Sequence, residues 1–241
     1  MEKKTLGVLG GMGPKATSVF FDKVIENTDA HMDQEHIDMI IMNHASIPDR
    51  TMSILDHQED VFLEEIKKDI KLLEYAGVAN IALTCNTAHY FIDQMQQMTH
   101  VNIINMADET IKAIRSKYGE GCRVGILATN GTRSTGIYEQ GCHKYNLEPY
   151  LPEAEVQESV MDIIYNDVKG ALVVDTNEKL EKIIRDLVFK EKCQCVILAC
   201  TELSCINLSP EAAAYSIDAM DVLIEKSITL SGRNVKKRVE V

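Results

Sequence analysis

Two cysteines each follow a hydrophobic segment and precede small polar residues. Cys85 lies in "LTCNTAHY" at residues 83–90, and Cys200 lies in "VILACTELS" at residues 196–204. If each hydrophobic segment is a strand that runs into a helix, the free N–H groups and the dipole of that helix stabilise a thiolate. One such cysteine would more often be a small packing residue. The repetition at two similar positions favours a chemical role for both.

Two opposed thiols suit the inversion of a stereocentre. A thiolate removes a proton from one face of a tetrahedral carbon, and a thiol returns a proton to the other face without a cofactor. His89 lies one helical turn after Cys85, so a covalent cysteine nucleophile with a histidine partner is the alternative. Because that alternative leaves Cys200 unexplained, the sequence favours two-base chemistry with no cofactor.

Three further features could bind a small anion or a carboxylate. The stretch "GVLGGMGP" at residues 7–14 matches neither G-x-G-x-x-G nor a P-loop, and it predicts a tight turn that exposes backbone N–H groups. Arg50, in the expected loop "IPDRT", could bind a carboxylate through two parallel hydrogen bonds, or it could be a surface arginine. Lys169 ends an expected helix, where it could complement the helix dipole or supply a second positive charge.

Composition narrows the classes of function. The 241 residues are 45% hydrophobic and carry a formal charge of −12, so a packed core is expected and nucleic acid is an unfavourable partner. No hydrophobic run approaches the length of a membrane span, and the opening segment is too short and glycine-rich for a signal peptide. The seven cysteines do not space like a disulfide framework, which favours reduced thiols in the cytoplasm.

A zinc site is another interpretation of the cysteines. Cys193, Cys195, Cys200 and Cys205 could together supply four thiolates. They straddle a short predicted strand and its exit, however, and alternate residues of a strand point to opposite faces. The sequence therefore predicts no metal site.

The elements that must position these residues alternate between strand and helix. In the first half, strands are predicted at "TLGVLGG", "IDMIIMN", "NIALT" and "VNIIN", and helices after Pro14, across 57–75 and across 107–119. The helix at 57–75 ends before Gly77. Its predicted apolar face contains Val61, Phe62, Ile66, Ile70 and Leu73.

The pattern restarts at residue 123 and indicates an internal duplication. "RVGILATNG" resembles "TLGVLGGMG", "VILACTE" resembles "IALTCNT", a further strand is expected at "LEPYLP", and helices are expected within 153–168, 176–191 and 216–231. This predicts an α/β fold of two pseudo-symmetric domains, each a mostly parallel sheet flanked by helices. Since such sheets bind ligands at the carboxyl ends of their strands, we expect an active site in the cleft between the halves.

We place the domain boundary near residues 118–121. The first half then covers 1–118 and the second covers 119–209. The last segment, 210–241, contains a helix that could pack back on the first half.

With these motifs assembled, the sequence resembles the aspartate/glutamate racemase family, the type that works without pyridoxal phosphate, and above all its aspartate racemase branch. The segments "GVLGGMGPKAT", "IPDRT", "CNTAHYF", "IYNDVKGA" and "LACTEL" occur in the family's order over nearly the whole chain. The resemblance implies a homodimeric, cofactor-independent racemase of aspartate or glutamate. It implies that Cys85 serves the D enantiomer and Cys200 the L enantiomer. The substrate contacts that it implies are Met12, Gly13, Arg50, Asn86, Thr87, Lys169 and Thr201.

Two departures separate this chain from glutamate racemases proper. Those enzymes typically carry a histidine two residues after the second cysteine and an acidic residue in the first glycine-rich loop, where this chain has Glu202 and Met12. Two alternatives stay open: a related isomerase or decarboxylase, such as one acting on maleate, and a non-catalytic regulator that binds an amino acid. The presence of both thiols and of "PDRT" weighs against the first, and binding without proton exchange would indicate the second.

Overall fold

The computed structural model describes residues 4–170 and 175–237, in which eight strands form two four-stranded parallel sheets. The strand order is β2-β1-β3-β4 in the first sheet and β6-β5-β7-β8 in the second. The strands are β1 (Leu6–Gly10), β2 (Met39–Asn43), β3 (Asn80–Leu83), β4 (Asn102–Ile103), β5 (Arg123–Ala128), β6 (Glu148–Tyr150), β7 (Cys195–Ala199) and β8 (Ser216–Asp218).

Helices connect the strands and cover both faces of each sheet. They are α1 (Pro14–Asn27), α2 (Arg50–Leu55), α3 (Glu59–Tyr75), α4 (Ile92–Gln97), α5 (Met106–Tyr118), α6 (Asn130–Thr135), α7 (Ile137–Lys144), α8 (Ala154–Asp162), α9 (Thr176–Phe189), α10 (Pro210–Ala214) and α11 (Ala219–Leu230). A π-helix over Ile163–Lys169 continues α8, and a short 3₁₀ helix over Thr87–Phe91 follows β3.

The two halves repeat one topology, which confirms the predicted α/β fold class. The first strand of each half, β1 or β5, pairs with both the second and the third strand of that half. The third strands, β3 and β7, then pair with the fourth strands, β4 and β8. This equivalence places the ends of β3 and β7, where the two cysteines follow, at corresponding positions.

The last helix of each half packs on the other half's sheet. Helix α11 buries Leu223 and Ile224 in one cluster with β1 and α1, on a face of the first sheet. Helix α5 buries Ile111 and Ile114 in one cluster with β5 and β7, on a face of the second sheet. The domain boundaries near residues 118 and 209 stay a prediction, because the hydrophobic clusters contain residues from both sides of each boundary. Residues 1–3 and 238–241 of the predicted domain ranges lie outside the described part of the chain.

Two local predictions are wrong. Val61 is 54% exposed, because it lies at the edge of the apolar face of α3 that Phe62, Ile66, Ile70 and Leu73 form. Arg50 begins helix α2 rather than lying in a loop, since the Asp49 side chain caps that helix by accepting from the Met52 N–H. The last helix, α11 (Ala219–Leu230), lies within the predicted range 216–231, and the short strand β8 directly before it was not predicted.

Candidate active site

Both cysteines lie at the carboxyl ends of equivalent strands and line the same small cavity. Cys200 directly follows β7, and Cys85 follows β3 after a single threonine. The cavity has a volume of ≈ 10 Å³, about the space of one water molecule. Its walls are formed by Met12, Asp49, Arg50, Thr51, Cys85, Asn86, Thr87, Thr129, Tyr165, Lys169, Cys200, Thr201 and Glu202.

Eight of the nine predicted site residues line this cavity. The ninth, Gly13, lines a wider cleft of ≈ 890 Å³. The cleft shares Met12, Arg50 and Lys169 with the cavity, so it forms the cavity's mouth. The larger volume therefore lies outside the two thiols, and the chemistry-bearing groups surround the smaller space.

Five wall residues were not predicted as site residues: Asp49, Thr51, Thr129, Tyr165 and Glu202. They come from segments that are distant along the chain and meet only where the two halves face each other. The Pro-Asp pair before Arg50 was a usable signal, because aspartate is a favoured N-cap residue. No comparable sequence pattern marks Tyr165 or Thr129.

Arg50 is buried against the glycine-rich turn. Its Nη2 donates to the Met12 carbonyl at 3.0 Å, and its Nη1 donates to the Pro48 carbonyl at 2.7 Å. Burial alone would lower the pKa of the guanidinium, but Cys85 beside it, together with Asp49 and Glu202, raises the pKa above its ordinary value. Arg50 is therefore a fixed positive charge next to the Cys85 side chain.

Cys200 has the opposite environment. Its Sγ donates to Glu202 Oε2 at 3.0 Å, and Glu202 is only 3% exposed. Burial, and after it the Glu202 carboxylate, raises the pKa of the Cys200 thiol well above its ordinary value. Cys200 therefore holds its proton, and one thiol faces a cation while the other faces an anion.

Lys169 lies on the π-helix and faces both carboxylates of the site. Its Nζ is 3.8 Å from Glu202 Oε1, 3.9 Å from Asp49 Oδ2 and 4.4 Å from the centre of the Tyr165 ring. Burial would lower the pKa of this amine, but Glu202 and Tyr165 outweigh burial and raise the pKa above its usual value. Lys169 therefore keeps its charge. Single π-helical turns often occur at functional sites, which agrees with its position here.

Three polar atoms on the cavity wall are buried with no hydrogen-bond partner among the described residues. They are Arg50 Nε, Asn86 Nδ2 and Glu202 Oε1. Buried polar atoms are nearly always paired in folded proteins, so an unpaired group calls for an explanation. Two donors and one acceptor around one cavity correspond to the polar groups of an α-amino acid, a carboxylate and an ammonium.

Hydrogen bonds hold the two halves together at this cavity. The Tyr138 hydroxyl donates to Asn86 Oδ1, which fixes the side chain of Asn86, a residue of the cavity wall. The Thr87 hydroxyl is 3.0 Å from the Thr129 hydroxyl and 2.9 Å from the Thr132 hydroxyl. These buried contacts position the residues that follow Cys85.

His89 is directed away from the chemistry. Its Nδ1 is 2.8 Å from the Cys85 carbonyl, and its Nε2 is 3.3 Å from the Ile104 carbonyl. Full burial lowers the pKa of the imidazole, so the ring is neutral. Since both ring nitrogens face backbone carbonyls, the arrangement does not favour a Cys85–His89 nucleophile pair.

The described residues contain neither a metal-binding cluster nor a membrane-spanning helix. Across residues 4–170 and 175–237, no cluster of three or more His, Cys, Asp or Glu side chains could hold a metal ion. Within the same ranges, no helix combines the length and the apolar character that crossing a membrane requires.

Comparison with known proteins agrees with this geometry. A family model described as Asp/Glu/Hydantoin racemase matches residues 9–226. The solved structure of Picrophilus torridus aspartate racemase has a TM-score of 0.86 to this chain at 32% identity, covering 97% of this chain and 96% of that one.

Two further relatives extend the comparison. The broad specificity amino-acid racemase RacX of Bacillus subtilis (strain 168) is 28% identical over 232 residues, which are 93% of this chain and 96% of RacX. An aspartate racemase homologue from Pyrococcus horikoshii OT3 shares the fold, with a TM-score of 0.77 at 24% identity over 96% of this chain and 100% of that one. By the family match and the 32% identical structure, the chain belongs to the Asp/Glu/hydantoin racemase family, and it is an isomerase of the racemase class.

Proposed function

We propose that this protein is a cofactor-independent racemase that interconverts L- and D-aspartate, or L- and D-glutamate, through Cys85 and Cys200. The observation that carries the proposal is the pair of thiols on one cavity, with Arg50 beside Cys85 and Glu202 bound to Cys200. One thiol is thus placed to act as a base and the other as an acid.

Proton transfer follows from these two environments. Cys85, acting as a thiolate beside the Arg50 guanidinium, removes the Cα proton of the bound amino acid. Cys200 delivers its proton to the opposite face of Cα, which leaves Cys85 as the thiol and Cys200 as the thiolate. The reverse reaction uses the same two groups in exchanged roles.

The difficult step is the formation of negative charge at Cα. The pKa of that proton is far above the ordinary cysteine pKa of about 8.5. Fixed donors around the α-carboxylate therefore have to stabilise the developing charge. Asn86 Nδ2 and Arg50 Nε, both buried without partners among the described residues, are the donors that we assign to this task.

The acidic side chain of the substrate extends toward Lys169 and the wider cleft. Lys15 also lines that cleft and adds a second positive charge. The cavity has room for about one water molecule, so an amino acid enters only if wall side chains move. The names of two relatives, an aspartate racemase and a broad specificity amino-acid racemase, support an amino-acid substrate. Following the resemblance, we also propose a homodimer that works in the cytoplasm with reduced thiols.

Proton NMR in D₂O tests this function. Single enantiomers of aspartate and glutamate are incubated with the wild type, Cys85→Ser and Cys200→Ser. We expect the wild type to exchange Cα–H for deuterium and to form the opposite enantiomer, and each variant to lose about 10²–10⁴-fold in rate. Cys205→Ser is the matched control, because Cys205 lines only the wider cleft. Exchange with neither amino acid would reject the substrate assignment, and binding without exchange would favour an amino-acid-binding regulator.

A further inference from the structure

One cavity-wall atom is an acceptor without a donor. Glu202 Oε2 accepts a hydrogen bond from the Cys200 thiol, and the Thr201 hydroxyl lies 3.4 Å from the same oxygen. Glu202 Oε1 is buried and has no hydrogen-bond partner among the described residues. An unpaired carboxylate oxygen in a buried site is costly, and a positively charged donor is the group that relieves it best.

A primary ammonium group already lies next to this oxygen. Lys169 Nζ is 3.8 Å from Glu202 Oε1 and 3.9 Å from Asp49 Oδ2, distances that are too long for hydrogen bonds. The space between the two carboxylates therefore attracts an ammonium without binding this one closely. The α-ammonium of an amino acid is the same chemical group.

The glycine-rich turn approaches this buried oxygen closely. A Cβ atom built on Gly13 would lie 2.7 Å from Glu202 Oε1, closer than real Cβ atoms approach. The backbone of Gly13 has φ −113° and ψ 146°, which any residue adopts, so glycine is not required there by conformation. The missing Cβ of Gly13 therefore lets the turn lie close to the Glu202 carboxylate without a clash.

The geometry points to Glu202 Oε1 as the acceptor for the substrate's α-ammonium, which restricts the substrates to acids with a free primary α-amine. The inference rests on the proposed function and adds the substrate class that the site selects. Lys169 then releases its long contact with Glu202 and turns to the substrate's side-chain carboxylate. Acids without the amine, such as succinate, leave Glu202 Oε1 unpaired. N-acylated amino acids bring a neutral, bulky amide into the space that Gly13 keeps small.

Binding separates this role from the part that Glu202 plays in holding the Cys200 proton. The dissociation constants of L-aspartate and succinate are measured by calorimetry, with all proteins carrying Cys85→Ser so that aspartate is not racemised during the titration. We expect L-aspartate to bind about 10- to 100-fold more tightly than succinate. We expect Glu202→Gln to reduce this preference for L-aspartate over succinate about tenfold, mainly because L-aspartate binds more weakly.

A second variant and a control make the test independent of folding. Gly13→Ala keeps the charge of Glu202 but fills the space beside it, and it is expected to lower the same ratio. Glu65→Gln, in a surface ion pair with Lys68, makes the same chemical change elsewhere and should leave the ratio unchanged. An unchanged ratio in both Glu202→Gln and Gly13→Ala would place the ammonium elsewhere and overturn the inference.

Racemisation by the protein with both cysteines is assayed separately. If aspartate is racemised but neither Glu202→Gln nor Gly13→Ala changes the ratio of the two dissociation constants, only the role of Glu202 is wrong. If aspartate binds with a Glu202-dependent preference but is not racemised, only the proposed function fails. If L-aspartate binds no more tightly than succinate to the Cys85→Ser protein, the inference is wrong.

Discussion

The Thr201 hydroxyl donates to the backbone carbonyl of Thr84 at 3.2 Å, so the residue after the second cysteine is bound to the residue before the first. Thr201 is buried at the junction of the two halves. This hydrogen bond connects the end of β7 to the end of β3. We therefore expect the separation of the two thiols to depend on it.

Thr201→Val should lower both the unfolding free energy of the protein and the rate of proton transfer. Valine is isosteric but leaves the buried Thr84 carbonyl without its donor, which costs about 1–3 kcal/mol of unfolding free energy. We expect a lower kcat with a smaller change in KM, because the spacing of the thiols is disturbed. Urea unfolding and steady-state kinetics measure both effects. Thr229→Val removes a similar hydroxyl from an exposed helix position and should leave both nearly unchanged.

Arg50→Lys should retain the charge and lose the function. Lysine cannot reproduce the separate hydrogen bonds that the guanidinium makes to the Met12 and Pro48 carbonyls. We expect kcat/KM to fall about 10²–10³-fold, since one oriented donor beside Cys85 is lost. Arg133→Lys is the matched control, because Arg133 donates to the Pro152 carbonyl outside the cavity. Equal losses in the two variants would contradict the role of Arg50.

Gly131→Ala should disturb the contact between α6 and α2 and destabilise the protein. A Cβ at this position would lie 2.7 Å from Thr51 Oγ1 and 2.8 Å from Thr51 Cα, in the helix that begins with Arg50. Because a backbone atom is involved, the clash cannot be relieved by a rotamer change, and we expect a loss of about 1–3 kcal/mol. Thermal unfolding tests this, with Ser134→Ala in the same helix as the control. A Gly131→Ala protein as stable as the wild type would show that α2 and α6 are free to move apart.

Alkaline pH should destabilise the protein through Cys142. Burial, with smaller effects from Glu139 and Cys122, raises the pKa of the Cys142 thiol to about 12. The unfolded chain therefore loses this proton from about pH 9, while the folded protein keeps it until about pH 12. Stability is lost over that window at about 1.4 kcal/mol per pH unit.

Cys142→Ala isolates this contribution. The variant lacks the titrating thiol, so its unfolding free energy should approach that of the wild type as pH rises above about 9. Ile111→Val, in the same hydrophobic cluster, costs about 0.5–1.5 kcal/mol at every pH and provides the control. Denaturant unfolding at pH 8, 9.5 and 10.5 under reducing conditions gives the comparison. A constant difference between Cys142→Ala and wild type would refute the raised pKa.

Local patterns were sufficient for the fold class and for the positions of the thiols. Hydrophobic segments of strand length alternate with amphipathic helices, and the repeated segments around Cys85 and Cys200 indicated equivalent strand ends. The two halves have the same strand order, which agrees with the repeated segments, and the family resemblance was confirmed. The roles of the individual site residues stay predictions.

Local sequence patterns did not predict the contacts between the two halves. Glu202 was noted only as a departure from glutamate racemases, because its meaning depends on Cys200, Lys169 and Gly13 meeting around it. Val61 was misassigned, since helical periodicity does not specify how wide the buried face is. The packing of α5 on the second sheet and of α11 on the first is a tertiary contact, and hydrophobic periodicity does not specify which sheet a helix covers.

The packing of α5 and α11 on each other's sheets makes the two halves depend on each other for folding. A separate first half would expose the sheet face that α11 covers, and a separate second half would expose the face that α5 covers. We therefore expect that neither half folds alone and that the whole chain unfolds in one cooperative transition. Two copies of a single half could cover each other's sheets in the same way, as in a domain-swapped dimer. In this chain one polypeptide joins two halves whose sheets are each covered by the last helix of the other half.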